Sequence, residues 1–317
     1  MKQIIIILLA GFALYSCKSR PAQKEGELKG EISISGAFAL YPLVVKWADE
    51  FKQAHPGVRI DISAGGAGKG MTDVLAKVVD LGMVSREVYP PEIEKGAVGF
   101  AVAKDAVVPT INASNPALAD LLKSGLTRED AVKLWITGEH KTWGDVAGTS
   151  RAEPVHVYTR SDACGAAETW ALWLGKKQED LLGTAVFGDP GLATAVQKDP
   201  LGIGLNNLSY AYDEGTRAPN PGLLVLPVDA NENGVLDPDE LFYDTKDAII
   251  QAIADDKYPS PPARDLYLVT NGVPGKPEVV AFLEFVLTKG QEFNVPAGYI
   301  SLSTAKLQRG LEILKTK

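Results

Sequence analysis

The segment Asp229-Ala230-Asn231-Glu232-Asn233-Gly234-Val235-Leu236-Asp237-Pro238-Asp239-Glu240 satisfies the pattern D-x-[DN]-x-[DN]-G-x5-E at every specified position. Oxygen donors at those intervals suit a hard divalent cation. They are the side chains of Asp229, Asn231 and Asn233, the Val235 carbonyl, Asp237 directly or through water, and both oxygens of Glu240. Gly234 permits the sharp turn between them. The spacing predicts a bound Ca2+ with a structural role, against the plainer reading of an acidic Asn/Gly turn. Residues 223–228 read as a strand rather than a helix, so the loop is EF-hand-like and not half of a paired calcium sensor.

A second kind of chemistry is suggested by three small-residue corners: Ser35-Gly36-Ala37-Phe38-Ala39, Ala64-Gly65-Gly66-Ala67-Gly68-Lys69-Gly70 and Arg160-Ser161-Asp162-Ala163-Cys164-Gly165-Ala166. Each follows a strand-like run and opens a helix-like one. The first N–H groups of a helix have no intrahelical acceptor and carry a partial positive charge, so an anion can satisfy them. One such corner is ordinary punctuation; three, with Lys69 and Arg160, predict an oxyanion cage. No nucleotide site is expected, because Lys69 is followed by Gly70 rather than Ser or Thr, and position 63 is Ser rather than Gly. Cys164 beside Asp162, with His156 eight residues earlier, is the best nucleophile candidate, and a Cys164-dependent hydrolase is the alternative outside the binding class. The histidines have no zinc spacing.

The elements that must position these groups alternate in the α/β manner. Ile32-Ser33-Ile34, Val58-Arg59-Ile60-Asp61-Ile62 and Val155-His156-Val157-Tyr158 are strand-like, and each leads to a helical period. Val44, Trp47, Ala48 and Phe51 make one buried helix face, Met71, Val74, Leu75 and Val78 a second, and Ala166, Thr169, Trp170, Trp173 and Leu174 a third. The tryptophans on these faces read as core. Residues 102–111 and 264–270 are extended stretches suited to cross twice between lobes. The expected division is a first lobe of residues 30–103 plus 265–317 and a second of 104–264, which carries the 229–240 loop.

Residues 33–51, residues 61–86 with Val79-Asp80-Leu81-Gly82-Met83-Val84-Ser85-Arg86, residues 158–170 and Pro200-Leu201-Gly202-Ile203-Gly204 together resemble the phosphate-binding component of bacterial ABC importers. The resemblance covers nearly all of the chain beyond its leader, in order. It implies a two-lobe periplasmic-binding-protein fold of type II, each lobe a mixed sheet flanked by helices, closing on a dehydrated phosphate. It also implies a non-enzymatic, monomeric receptor that delivers solute to a membrane permease. By position, Arg160 matches the clamping arginine, whose planar fork suits two oxygens, and Gly165 matches a backbone donor. Ser85, with Arg86 beside it, falls where a hydroxyl or an aspartate is usual. The implied contacts are Ala37, Phe38 and Ala39; Gly66, Ala67, Gly68 and Lys69; Ser85 and Arg86; and Arg160, Asp162, Cys164, Gly165 and Ala166.

The chain departs from that family where Phe38 and Ala39 replace the usual Thr or Ser, Ala67 replaces a serine, and Cys164-Gly165-Ala166 replaces Ser-Gly-Thr. A hydrogen bond to a charged group contributes about 1.5–3 kcal/mol, so several lost hydroxyls weaken phosphate unless backbone N–H groups, Lys69 or Arg86 compensate. A molybdate- or sulfate-like anion, or a carboxylate, is therefore the alternative ligand. Asp162 is the candidate acceptor for a protonated phosphate.

At the amino terminus, Lys2, an apolar run from Ile4 to Leu14, and Ser16 before Cys17 have the form of a lipoprotein signal peptide, residues 1–16. The run is shorter than the roughly 20 residues of a membrane span. Cleavage would leave Cys17 lipidated on a polar tether of residues 17–29, and Cys164 as the only other thiol, with no intramolecular disulfide. Composition is ordinary for a soluble globular protein: 45% of 317 residues are hydrophobic, 23% charged, and the net charge is −8. Disorder and collagen are excluded, and no nucleic-acid partner is expected of an acidic chain. No redox or nucleotide cofactor is expected either.

Overall fold

The computed structural model describes residues 28–316, so the leader, Cys17 and the tether through residue 27 lie outside the described residues. Nine strands are formed there: β1 (Gly30–Gly36), β2 (Val58–Ala64), β3 (Leu81–Val84), β4 (Ala97–Asn112), β5 (His156–Arg160), β6 (Thr184–Val186), β7 (Gly202–Asn207), β8 (Leu223–Val225) and β9 (Ala263–Asn271). They run in the order β2-β1-β3-β9-β4-β7-β5-β6, with β8 beside β4. β1 pairs in parallel with β2 and β3, and β5 in parallel with β6 and β7, while β4 and β9 are antiparallel. Helices α1 (Tyr41–Ala54), α2 (Ala67–Leu75), α3 (Pro90–Glu94), α4 (Leu118–Ser124), α5 (Arg128–Trp135), α6 (Trp143–Ala147), α7 (Gly165–Trp173), α8 (Asp189–Lys198), α9 (Leu208–Ala211), α10 (Lys246–Ala254), α11 (Pro277–Leu287) and α12 (Thr304–Lys315) complete a mixed α/β architecture.

The lobes follow from where apolar side chains gather. One core holds Ile32, Ile34, Trp47, Phe51, Phe100 and Ala103 with Leu266 and Phe282. Two others hold Val107, Ile111, Trp135, Trp143 and Trp170, and Ala106, Val108, Tyr212, Ile249 and Tyr258. The change of core falls between Ala103 and Ala106 on β4 and between Ala263 and Leu266 on β9. These two strands join the lobes, pairing Phe100 with Leu268, Lys104 with Asp265 and Asp105 with Arg264. A bulge at Val102 interrupts the register, and the Val102 carbonyl accepts from Asn294 Nδ2 at 3.1 Å and Gln291 Nε2 at 2.9 Å.

The helix faces expected from periodicity are buried through Trp47, Phe51, Met71, Val74 and Trp170. Val78 is not: it is 69% exposed, because α2 stops at Leu75 and Lys77 adopts φ 58. A left-handed residue ends the 3.6-residue repeat, and a non-glycine residue there carries no sequence signal. The strand expected over 223–228 is shorter, three residues in β8.

Candidate functional site

The three small-residue corners meet in the seam between the lobes. Leaving β1, Ala37 N donates to Met83 O at 2.9 Å. Leaving β2, Gly65 N and Gly66 N both donate to Gly36 O, at 2.8 and 3.1 Å, which fastens the second corner to the first. The third corner leaves β5 in the other lobe, and its helix α7 is capped by Cys164 Sγ, which accepts from Ala167 N at 3.4 Å. Across the seam, Gly68 N donates to Ala163 O at 3.0 Å, and Tyr210 Oη donates to Phe38 O at 3.2 Å. Two glycines make this approach feasible. Gly66 has φ 90, with Ala163 O 2.7 Å from where a Cβ would sit, and a Cβ on Gly165 would collide with Ser85.

These contacts leave main-chain donors of all three corners unclaimed. The N–H groups of Phe38 and Ala39, of Ala67 at the start of α2, and of Gly165 and Ala166 at the start of α7 have no acceptor among the described residues. Ala39, Ala67 and Ala166 are each 1% exposed. Donors withdrawn from water and from protein acceptors are what an oxyanion completes.

Arg160 stands beside them, its side chain wholly buried and its guanidinium 5.7 Å from the Phe38 ring centre. Nε and Nη2 donate to the two oxygens of Asp162 at 2.9 and 2.6 Å, and Nη1 donates to Asp189 at 2.6 Å. Burial pulls its pKa down, but Asp189 foremost pushes it further up, so the guanidinium is always charged. Three of its five N–H groups are thus engaged, leaving one on each terminal nitrogen. Asp162, expected as an acceptor for a protonated ligand, is already clasped by Arg160 and by Gly188 N at 3.1 Å. One cation between two carboxylates gives the group a formal charge of −1.

The other expected cations are directed elsewhere. Lys69 pairs with Asp73, which also accepts from Ser35 Oγ at 2.7 Å. Arg86 holds Glu92 through two nitrogens, at 2.9 and 2.7 Å, and reaches Glu168 across the seam at 2.8 Å. Tyr89 Oη donates to Glu168 as well. Arg86 therefore links α3 to α7, lobe to lobe. A cleft of about 300 Å3 opens beside this link, lined by Lys104, Arg264, Asp265 and Lys306 among others, and Arg86 is its only wall residue from the expected contacts. Ser85 is buried in the seam, and its carbonyl accepts from Arg264 Nε at 3.2 Å.

Sequence reasoning missed Asp189, although a signal was present. Asp189, Leu192, Ala193 and Val196 form the buried face of α8 at the i, i+3, i+4, i+7 spacing, so an acid sits on an apolar stripe. Asp189 also accepts from Asn207 Nδ2, and Asn207 Oδ1 accepts from Arg264 Nη2. Arg264 Nη1 lies 3.6 Å from Asp105 Oδ2, and neither that nitrogen nor either Asp105 oxygen has a hydrogen-bond partner. Burial pushes the Asp105 carboxyl up to about 6, against the pull of Arg264.

Thiol catalysis has no activated nucleophile here. Burial pushes the Cys164 thiol up to about 12, with Arg160 only partly opposing it, so the reactive thiolate is negligible at neutral pH. His156 is half exposed and its Nδ1 lies 2.7 Å from Asp199 Oδ2. The 229–240 loop is a separate feature of the second lobe, held to α4 where Leu236 N donates to Lys123 O at 2.9 Å.

A mixed α/β sheet crossed by two long antiparallel strands, with strand-to-helix corners from both lobes facing one seam, defines a two-lobe solute-binding fold of type II. The chain belongs to the PBP superfamily, whose domain description matches residues 21–289. It is similar to the phosphate-binding protein PstS of Pseudomonas aeruginosa, 26% identical over 92% of this chain and 89% of that protein. It is likewise similar to PstS of Borreliella burgdorferi, 24% identical over 96% of this chain and all of that protein. The phosphate-binding protein PstS 2 of Streptococcus pneumoniae is 36% identical over 113 residues, a segment that spans only 38% of that relative. Among solved structures, a Clostridium perfringens chain with bound phosphate superposes with a TM-score of 0.71 at 22% identity, covering 86% of this chain and all of that one. An ABC-type phosphate transport receptor from Vibrio cholerae gives 0.62 at 19% identity, again over 86% of this chain and all of that one. Among the described residues, no helix is long and apolar enough to cross a membrane.

Proposed function

We propose that this protein is the extracytoplasmic solute-binding component of an ABC importer, holding phosphate or a related oxyanion between its lobes and presenting it to a membrane permease. The observation that carries the reading is the set of unclaimed N–H groups that includes Phe38, Ala39, Ala67, Gly165 and Ala166, drawn from all three corners and both lobes, beside Arg160. Neutral backbone donors stabilise an anion without the desolvation that a second free cation would require. In this reading the protein acts as a monomer and performs no chemistry on its ligand. Cleavage before Cys17 would anchor it by lipid, with residues 17–29 as the tether.

Two features favour an anion other than a fully ionised phosphate. Ala67, Cys164 and Ala166 carry no hydroxyl, and Asp162 and Asp189 already neutralise Arg160. A singly charged carboxylate meets less repulsion from that group, and a sulfate- or molybdate-type dianion carries no proton and so needs no acceptor such as Asp162, which Arg160 and Gly188 N already occupy.

Calorimetry of the mature protein against phosphate, sulfate, molybdate and small carboxylates tests both readings. The expected result is one-to-one binding of at least one of them, lost in a variant that blocks the α7 start, Gly165→Val. The Cys164→Ser, Ala166→Thr double variant restores two hydroxyls and should tighten phosphate by about a hundredfold or more. Absence of binding to every anion in the wild type and in the double variant removes the basis of the proposal.

A further inference from the structure

The 229–240 segment holds two carboxylates inside the protein. Asp229 is 1% exposed and Glu240 6%, whereas residues 230–235 between them face solvent. Asp229 Oδ2 accepts from Gly234 N at 2.7 Å, which aims the carboxylate into the loop, and its Oδ1 is buried without a hydrogen-bond partner. Glu240 closes the loop from the far end: Oε1 accepts from Ala230 N and Asn231 N at 2.8 and 3.3 Å, and Oε2 from Asp237 N at 3.1 Å. Between these acids, Asn231 and Asn233 both direct their Nδ2 at Asp237 Oδ2, 2.9 Å away. The Asn231 and Asn233 Oδ1 atoms accept from the loop's own Asn233 N and Val235 N, at 3.0 and 2.9 Å, and the chain bends at Gly234 with φ 82.

Among the described residues, no basic side chain answers that charge. Lys123, whose carbonyl receives Leu236 N, turns its ammonium to Asp120. Among the described residues, none forms an ion pair with Asp229, Asp237 or Glu240. An ionised carboxylate held from water with an oxygen unpartnered is strongly unfavourable, and a hard divalent cation is the partner that oxygen donors at this spacing accept. Among the described residues no three His, Cys, Asp or Glu side chains are already gathered for a metal. Asp229, Asp237 and Glu240 are therefore not drawn together in this arrangement, and an ion would have to gather them with the Asn231, Asn233 and Val235 oxygens.

We propose that this loop binds one calcium ion, with the orphaned Oδ1 of Asp229 as its first ligand, joined by Asn231, Asn233, the Val235 carbonyl, Asp237 and Glu240. The ion is structural and independent of the interlobe ligand. It locks the loop onto the second lobe through Asp229 N to Leu126 O at 3.1 Å and Val228 N to the Tyr243 hydroxyl at 3.1 Å. A flexible twelve-residue loop with many oxygens favours calcium over the smaller, strictly octahedral magnesium.

The test is calorimetric titration of chelator-stripped mature protein with calcium chloride, paired with thermal unfolding in calcium or in EGTA. One ion per chain is expected, with Tm raised by roughly 3–8 °C at saturation and by less than half as much in equal magnesium. Asp229→Asn should abolish both signals. Because Asp229 is buried, Asp237→Asn at a partly exposed position is the second variant. It should unfold in EGTA within about 2 °C of wild type and bind calcium about tenfold more weakly. No heat of binding together with equal Tm in calcium and EGTA overturns the proposal, as does unchanged calcium binding in both variants.

Discussion

Arg160 and Arg264 are both buried where the lobes meet, and they are bonded in opposite ways. Arg160 has a carboxylate on each side at 2.6 Å, from Asp162 and Asp189. Arg264 has Asp105 directly across the β4–β9 ladder, yet their closest approach is 3.6 Å and three of their polar atoms have no hydrogen-bond partner. The contrast appears in proton affinity. Asp189 helps push the Arg160 pKa further up, whereas burial of Arg264 outweighs Asp105 and pulls it below its ordinary value, while Asp105 rises to about 6. A buried charge is stabilised by geometry and by full hydrogen bonding, not by nominal pairing. The seam thus contains one rigid ionic cluster next to the ligand corners and one loose pair on the strands that join the lobes.

The largest effect is expected from breaking the tight cluster. Arg160→Met leaves Asp162 and Asp189 buried and unpaired, and should destabilise the protein by about 3–5 kcal/mol in urea unfolding. Adding Asp189→Asn to that variant should recover part of the loss, since only one uncompensated charge then remains. If Arg160→Met is neutral, the cluster is not the rigid element and the contrast fails.

The loose pair gives a smaller effect with a distinct pH signature. Asp105 has a folded-state pKa near 6, above its ordinary 3.8, so the native state retains a proton that the unfolded chain has released. Its contribution to stability is therefore lost as pH rises between those values. Asp105→Asn removes that loss. The variant should match wild type near pH 4 and gain on the order of 2–3 kcal/mol over it by pH 7, read from chemical unfolding at a series of pH values. A difference that is flat, or of opposite sign, would show Asp105 to be well paired.

The contrast also marks what the sequence makes legible. Strand and helix periods come from local spacing, and the corners come from small residues between them, so the α/β order and the seam's backbone donors are readable from one chain. The Lys69–Asp73 pair is an i,i+4 contact and equally local, so a carboxylate partner for Lys69 is readable from spacing alone. Arg86 with Glu168, and Arg160 with Asp189, join residues 82 and 29 positions apart. No spacing rule predicts those partners. Asp189 was detectable only as an acid on an apolar stripe, and Asp105 and Arg264 as charges inside extended apolar runs. The calcium-type loop is the reverse case, since all of its specified residues lie within twelve consecutive positions.

The smallest stability effect is expected at the Arg86–Glu168 link, and it separates cohesion within a lobe from cohesion between lobes. Glu168 is 29% exposed in its side chain and Arg86 11%, so solvent screens the pair, and Glu168→Gln should change unfolding stability by only about 0–1 kcal/mol. The link nevertheless crosses the seam, together with the Tyr89–Glu168 hydrogen bond. In the binding cycle of the proposed function, weakening a link that spans the seam shifts the lobes toward opening even where global unfolding is unaffected. Glu168→Gln should therefore enlarge the radius of gyration measured by small-angle scattering, and the enlargement should grow when Tyr89→Phe is added. Equal scattering curves for wild type and both variants would place lobe cohesion in the Gly68–Ala163 and Tyr210–Phe38 contacts instead, leaving Arg86 as a surface brace for α3.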